Sequence, residues 1–341
     1  MNAPIIKELE ELRPKIIPSL RAGFDAVASH IWLILPPVII DLIIWLGPHL
    51  RIESMLQPFL QTMQELPLPQ AAGEQMKQSI AAAQQIWQVI AERFNLTMAL
   101  RSYPIGVPSL MANWLPITTP LGKPVFIDIN GAANAFGWWI ILGLVGLLIG
   151  SFFFGMIARV TGKEKISFAP GELGWSTLQS LLMMISIIVA ACLLAIPALM
   201  LIGALTLANP LLGQVALFIG GLLLIWLIVP LIFTPHGIFG LRVPFVRALG
   251  TSVQVVRFTY SSTGLFLLIL VVISQGLDLL WQVPAENSWL AAVGILGHAF
   301  VNTGILAASF FYYRDGLRFV QGIINHTQQL QQAMTNNSVQ S

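Results

Sequence analysis

From Leu173 to Leu241 the chain carries not one Asp, Glu, Lys or Arg, and Leu, Ile, Val and Ala dominate it. A water-soluble domain cannot be written this way, because too little polar surface would be left to face solvent. About 20 apolar residues cross a bilayer as a helix, so the run predicts two crossings divided at the turn-forming Ala208-Asn209-Pro210. Composition agrees: 56% hydrophobic, 9% charged and a mean hydropathy of +0.79, against roughly 25% charged in soluble domains. The expected class is an all-α integral membrane protein.

Several functions are argued against at once. A net charge of +2 and the lack of any Lys/Arg run speak against nucleic acid. The single cysteine, Cys192, sits in an apolar run and has no partner for an intrachain disulfide. Residues 1–21 mix acids and bases (Lys7, Glu8, Glu10, Glu11, Arg13, Lys15), unlike a cleavable signal, so the N-terminus is expected to stay on the protein. There is no GxxxxGK[ST], HExxH or GxSxG, no metal-type Cys/His spacing and no dinucleotide fingerprint. No catalytic residue, cofactor or metal is therefore predicted, and the reading leans away from an enzyme.

Six crossings are expected, near 31–47, 135–158, 178–204, 212–233, 264–281 and 289–312. They divide the chain into an N-terminal interfacial helix with the first span (1–47), an extracytoplasmic helical and Pro-rich insertion (48–134), a five-helix membrane region (135–320) and a polar C-terminal tail (321–341). Lys and Arg near the spans mark the cytoplasmic side. With the N-terminus inside, Lys7, Arg13, Lys15, Arg21, Arg159, Lys163, Lys165, Arg242, Arg247, Arg257, Arg314 and Arg318 are all cytoplasmic, and the short outer turns near Asn209 and Glu286 hold no Lys or Arg. Both termini are expected in the cytoplasm of a cell-membrane protein.

Within the insertion, Met76, Ile80, Ala83, Trp87, Ile90 and Phe94 form one apolar helical stripe. It must lie on a neighbouring helix such as 52–63, on the membrane surface or on a protein partner. The stretch from Tyr103 to Pro120 is too rich in proline for a regular helix and is expected at the lipid interface or over the mouth of the bundle. Asn95-Leu96-Thr97 fits a glycosylation sequon, a frequent chance match.

Ahead of each pair of crossings lies a candidate interfacial helix: 17–29, 170–179 and 243–259. In the third, Val243, Val246, Leu249, Val253, Val256 and Tyr260 share a face, and Arg242, Arg247 and Arg257 are candidates to contact lipid headgroups. Wording recurs between the first and third units, Asp41-Leu42-Ile43-Ile44-Trp45 against Asp278-Leu279-Leu280-Trp281, although the spacing differs by about three helical turns. The words Phe245 to Ser252, with Arg257 following, and Phe311 to Arg318 after the last span resemble a bacterial multi-pass family built like the membrane domain of glycerophosphodiester phosphodiesterases. Leu20 to Phe24, leading to Leu35-Pro36-Pro37 and Asp41, is similar in flavour. The resemblance covers chiefly the last third of the chain. It implies a membrane protein of about six helices and brings no catalytic residues, since the phosphodiesterase domain is absent.

Ionisable side chains at membrane depth cost about 3 kcal/mol or more and mark functional candidates. Here they are Asp41, Asp278 and His298, with Gln275 and Asn302 in support. Counted at ~1.5 Å per residue from Trp281 and Trp289, Gln275 matches His298 in depth and Asp278 lies near the interface. These residues form either an outward-open polar pathway or ordinary interhelical hydrogen bonds. Gly143, Gly146, Gly150, Gly220 and Gly221 permit close helix approach, Pro36-Pro37, Pro197 and Pro230 predict kinks, and His236 is read as a structural hydrogen-bonder. The leading expectation is a scaffold or accessory subunit that touches lipid and, through 48–134, a protein partner. A small-solute or proton transporter is the alternative, and a lipid-modifying enzyme the third.

Overall fold

The computed structural model describes residue 10 and residues 12–65, 74–163 and 169–340. The chain is all-α: α1 (Ile16–Ser29), α2 (Leu35–Leu46), α3 (Glu53–Glu65), α4 (Glu74–Arg93), α5 (Met111–Trp114), α6 (Ala132–Gly162), α7 (Pro170–Ala208), α8 (Pro210–Ile228), α9 (Thr234–Gly240), α10 (Phe245–Trp281) and α11 (Ala291–Gln340). Among the described residues, the strands are β1 (His49–Arg51) and β2 (Phe126–Asp128), paired in parallel with His49 opposite Phe126. Among the described residues, five helical stretches are long and apolar enough to cross a membrane: Ala132–Gly162, Pro170–Ala208, Pro210–Gly240, Phe245–Trp281 and Ala291–Gln329. A sixth arises if Ile16–Ser29 and Ile31–Leu46, bent by 96°, count as one broken span. This is a multi-pass membrane protein.

The chain forms two compact units that do not follow sequence blocks. One comprises Met1–Ile31, Phe154–Ile273 and Thr303–Ser341, the other Trp32–Phe153 and Ser274–Asn302.

In the first unit, Phe233, Val255, Val256, Phe266, Tyr312 and Tyr313 build a buried core, with Phe266 and Tyr312 stacked 4.1 Å apart. α1 is pressed onto α11 at Gly23, where a Cβ would lie 2.4 Å from the Ala308 nitrogen. The opposite face of α1 stays open, with Ile17 78% exposed. α10 bends at Thr259, whose φ of −123° leaves the helical region. The Thr259 hydroxyl takes up the Val255 carbonyl at 2.6 Å, the back-bonding by which Thr bends helices. The residues before the bend are those expected as the third interfacial helix, and their expected single apolar face is split: Val246, Val253 and Tyr260 point outward while Val256 enters the core. A backbone break at Pro230 is repaired by Ser252, whose hydroxyl donates to the Pro230 carbonyl and accepts from Phe233 N.

Within α7 and in Pro210–Gly240, the most hydrophobic 18-residue stretches bury no residue, at a mean hydropathy of 2.8. The glycines expected to bring helices together there do not: a Cβ at Gly221 meets nothing within 4 Å, and one at Gly220 meets only the Ile202 side chain at 3.8 Å. Pro197 leaves α7 unbroken. Uncovered by the chain and at this hydropathy, the hairpin has the surface of a membrane-facing element.

In the second unit, the Pro-rich segment lies deep among the helices. Ile105, Val107, Leu110 and Met111 are fully buried. Gly146 and Gly150 of α6 make room for it: a Cβ on Gly146 would lie 2.3 Å from the Leu100 carbonyl, and one on Gly150 2.7 Å from Gly106 Cα. The GxxxG therefore receives the end of the 3-10 turn Leu96–Leu100 and the loop that follows it, in place of a second membrane helix. Non-helical backbone at this depth is stable because protein surrounds it and supplies its hydrogen-bond partners. Asn95 accepts from Leu50 N and Thr97 N and is 2% exposed, so the sequon asparagine is a buried structural cap.

The α4 stripe is divided. Trp87 meets Phe59 of α3 edge-on at 5.4 Å, and Phe94 packs on a cluster of Leu96, Ile129 and Ala135. The side chains of Met76 and Ile80 lie outside the described residues. α11 carries the C-terminal residues on as helix to Gln340.

Candidate functional site

The second unit gathers the intramembrane polar residues. Asp41, near the middle of α2, is wholly buried. Its carboxylate accepts from the Ser109 hydroxyl at 2.5 Å, from Leu110 N at 3.1 Å and from Met111 N at 3.0 Å. Ser109 in turn accepts from Ala112 N. Asp41 thus caps the short helix α5 from another element, doing at a distance what an N-cap side chain does locally.

α10 and α11 supply a second network. Asp278 Oδ1 lies 2.7 Å from His298 Nδ1, Asn302 Nδ2 donates to the His298 carbonyl at 3.2 Å, and the Ser274 hydroxyl donates to Asn302 Oδ1 at 2.8 Å. The acid requires a proton on Nδ1, which leaves Nε2 as an acceptor in the neutral ring. His298 Nε2 and the Trp281 indole nitrogen are buried without a hydrogen-bond partner among the described residues. Asp41 and His298 also lie within electrostatic range of each other.

Of the five sequence candidates, Asp41, Asp278, His298 and Asn302 enter these networks, and the expected pairing of His298 with Gln275 is not the one formed. Gln275 is exposed and Asp278 buried, so Asp278 is the histidine's partner. The reason is register. A Cβ on Gly294 would lie 2.6 Å from the Trp281 carbonyl, and one on Gly297 2.7 Å from the Trp281 ring. Trp281 is therefore level with Gly294, not with Trp289. Counting ~1.5 Å per residue from that pair, Asp278 and His298 reach nearly the same depth.

A third node lies in the turn between α10 and α11. Glu286 accepts from Arg93 Nη1 at 2.7 Å and from Ile117 N at 3.0 Å, while its carbonyl accepts from the Trp45 indole at 3.0 Å. Trp45 meets Trp289 edge-on at 6.0 Å. Glu286, Ser109, Ser274 and Trp281 escaped sequence reasoning. Only Glu286 left a trace, as a lone acid in a short turn without cations.

At the strand pair, His49 is held neutral: burial lowers its pKa, and the Arg51 charge adds to this. In the first unit, His236 is buried with Nε2 2.7 Å from the Ser309 hydroxyl among Phe233, Phe310 and Tyr313, a structural role as expected. Arg242 lies 3.9 Å from Glu172. Arg247 and Arg257 are exposed on α10 and make no ion pair among the described residues.

Chemically, the second unit offers an imidazole paired with a carboxylate. Among the described residues no group of three His, Cys, Asp or Glu could hold a metal ion. No family model, curated protein or solved structure matches the chain.

Proposed function

We propose that the protein is a non-enzymatic scaffold or accessory subunit of the cytoplasmic membrane, with both termini in the cytoplasm and the α3–α4 hairpin offered to a protein partner. The observation that carries this reading is the state of that hairpin: Ile86 is 59%, Val89 47% and Phe59 45% exposed, while its base is held by Arg93 on Glu286 and by Phe94. Apolar groups displayed from a fixed base are what a docking surface needs. The buried carboxylates, by contrast, are already engaged by internal donors. Kinship with the multi-pass family resembled in sequence belongs to the same proposal and adds no chemistry.

A photo-crosslinking residue at Ile86 or Val89, introduced in cells, is expected to yield a discrete adduct with another protein. Adducts with lipid alone at both positions would refute the reading, and reporter fusions at the two termini check the orientation.

A proton-linked transporter is the second reading. It is favoured by the buried, unpartnered His298 Nε2 on the Asp278 pair, within range of Asp41. Reconstituted in vesicles with a pH-sensitive dye, the protein would carry protons in a manner lost in His298→Ala; no flux above protein-free vesicles rejects it.

A further inference from the structure

One side of α10 is left uncovered by the chain, yet it carries a polar group at membrane depth. Beyond its bend at Thr259 the helix runs on to Trp281. On this stretch Leu265, Leu268, Val272 and Leu279 are between 52% and 75% exposed, and Gln275 is exposed with them. Taken in order, Leu265, Leu268, Val272, Gln275 and Leu279 are spaced by three, four, three and four residues. That is the a and d seam of a helix that packs on another helix.

Gln275 has no hydrogen-bond partner among the described residues. Gln179 of α7, by contrast, accepts from Phe245 N, and Asn302 of α11 accepts from the Ser274 hydroxyl. Gln275 lies ~9 Å along the helix from Trp281, where hydrocarbon offers its amide neither donor nor acceptor. The position is costly unless another helix supplies both. Access is open beside it, since a Cβ at Gly276 would meet nothing within 4 Å, and small residues let helix backbones come close.

We propose that this seam binds a second copy of the chain, the two Gln275 amides pairing with each other across the interface. Depth and chemistry select the occupant. Two copies inserted in the same orientation carry Gln275 at the same depth, and a twofold axis along the membrane normal sets the residue opposite itself. An amide holds donors and an acceptor, so two of them satisfy one another, as lipid tails and apolar helices do not. A single polar residue in such a seam also fixes register and the number of helices. The interface is independent of the α3–α4 hairpin and of any partner docked there.

The test uses the full chain reconstituted in phosphatidylcholine vesicles, half the copies carrying a donor dye and half an acceptor dye at the C-terminus. Energy transfer is followed as lipid dilutes the protein. Wild type is expected to associate as a dimer, Gln275→Leu to dissociate at about tenfold higher protein density, and Leu223→Ala, on the exposed face of α8, to match wild type. With Cys192→Ser as background, oxidation should link two copies through Gln275→Cys and not through Leu223→Cys. A monomer at every dilution, equal association of wild type and Gln275→Leu, or equal linking at the two positions overturns the proposal. Gln275→Leu removes no contact within the chain, so its effect reads the interface and not the fold.

Discussion

Replacing Asp41 by Asn tests whether the buried acid holds the Pro-rich loop in place. In the wild type the two carboxylate oxygens accept three hydrogen bonds, from Ser109, Leu110 N and Met111 N. An amide keeps one acceptor oxygen and turns an NH2 group toward the remaining donor. At least one buried N–H then loses its partner, at a cost of roughly 1–3 kcal/mol. With 1.4 kcal/mol per factor of ten, the loop would open about 5- to 150-fold more often. Hydrogen exchange at the Leu110 and Met111 amides reads this directly, because each is protected by one of the bonds at issue. Exchange should rise at these two amides and stay unchanged in α8, which belongs to the other compact unit. Protection unchanged within about twofold at both amides would refute the argument and move Asp41 from a structural clamp toward a functional acid.

Three further perturbations have defined outcomes. Gly146→Ala forces a Cβ to 2.3 Å from the Leu100 carbonyl and should destabilise by about 1–3 kcal/mol, whereas Gly143→Ala, which meets nothing, should keep or raise the melting temperature; similar shifts for both would contradict the assigned packing. Glu286→Ala should release Ile117 and raise hydrogen exchange at its amide about tenfold, a modest effect because Arg93 is partly exposed, and Glu286→Gln should restore most of the protection. Burial lowers the His49 pKa, so below about pH 6.5 the unfolded chain binds a proton that the folded one refuses. Its contribution is thus complete above that pH and is lost as pH falls toward the folded value. The melting temperature should drop between pH 7.5 and 5.5 by less in His49→Gln than in wild type, and an equal drop would show that His49 is not responsible.

The membrane class was legible because it rests on local chemistry. The charge-free run from Leu173 to Leu241 leaves its backbone only the helix as a way to satisfy hydrogen bonds in lipid, and no tertiary contact is needed to read that. The identities of Asp41, Asp278, His298 and Asn302 were legible for the same reason, since any ionisable or amide group in a span declares itself. Their partners were not. Which residue faces His298 depends on the offset between α10 and α11, set where Gly294 and Gly297 admit Trp281; an error of a few residues in that offset exchanges Asp278 for Gln275. Nor did local pattern show that a Pro-rich segment lies against Gly146 and Gly150, since proline excludes a regular helix without saying where the chain goes instead. The sequence by itself determined solvent and secondary structure, which depend on neighbours along the chain. The tertiary structure decided the hydrogen-bond partners of Asp41, the reach of Glu286 to Arg93 and the approach of Arg242 to Glu172, because each joins segments far apart in the chain and is set by the packing of helices against one another.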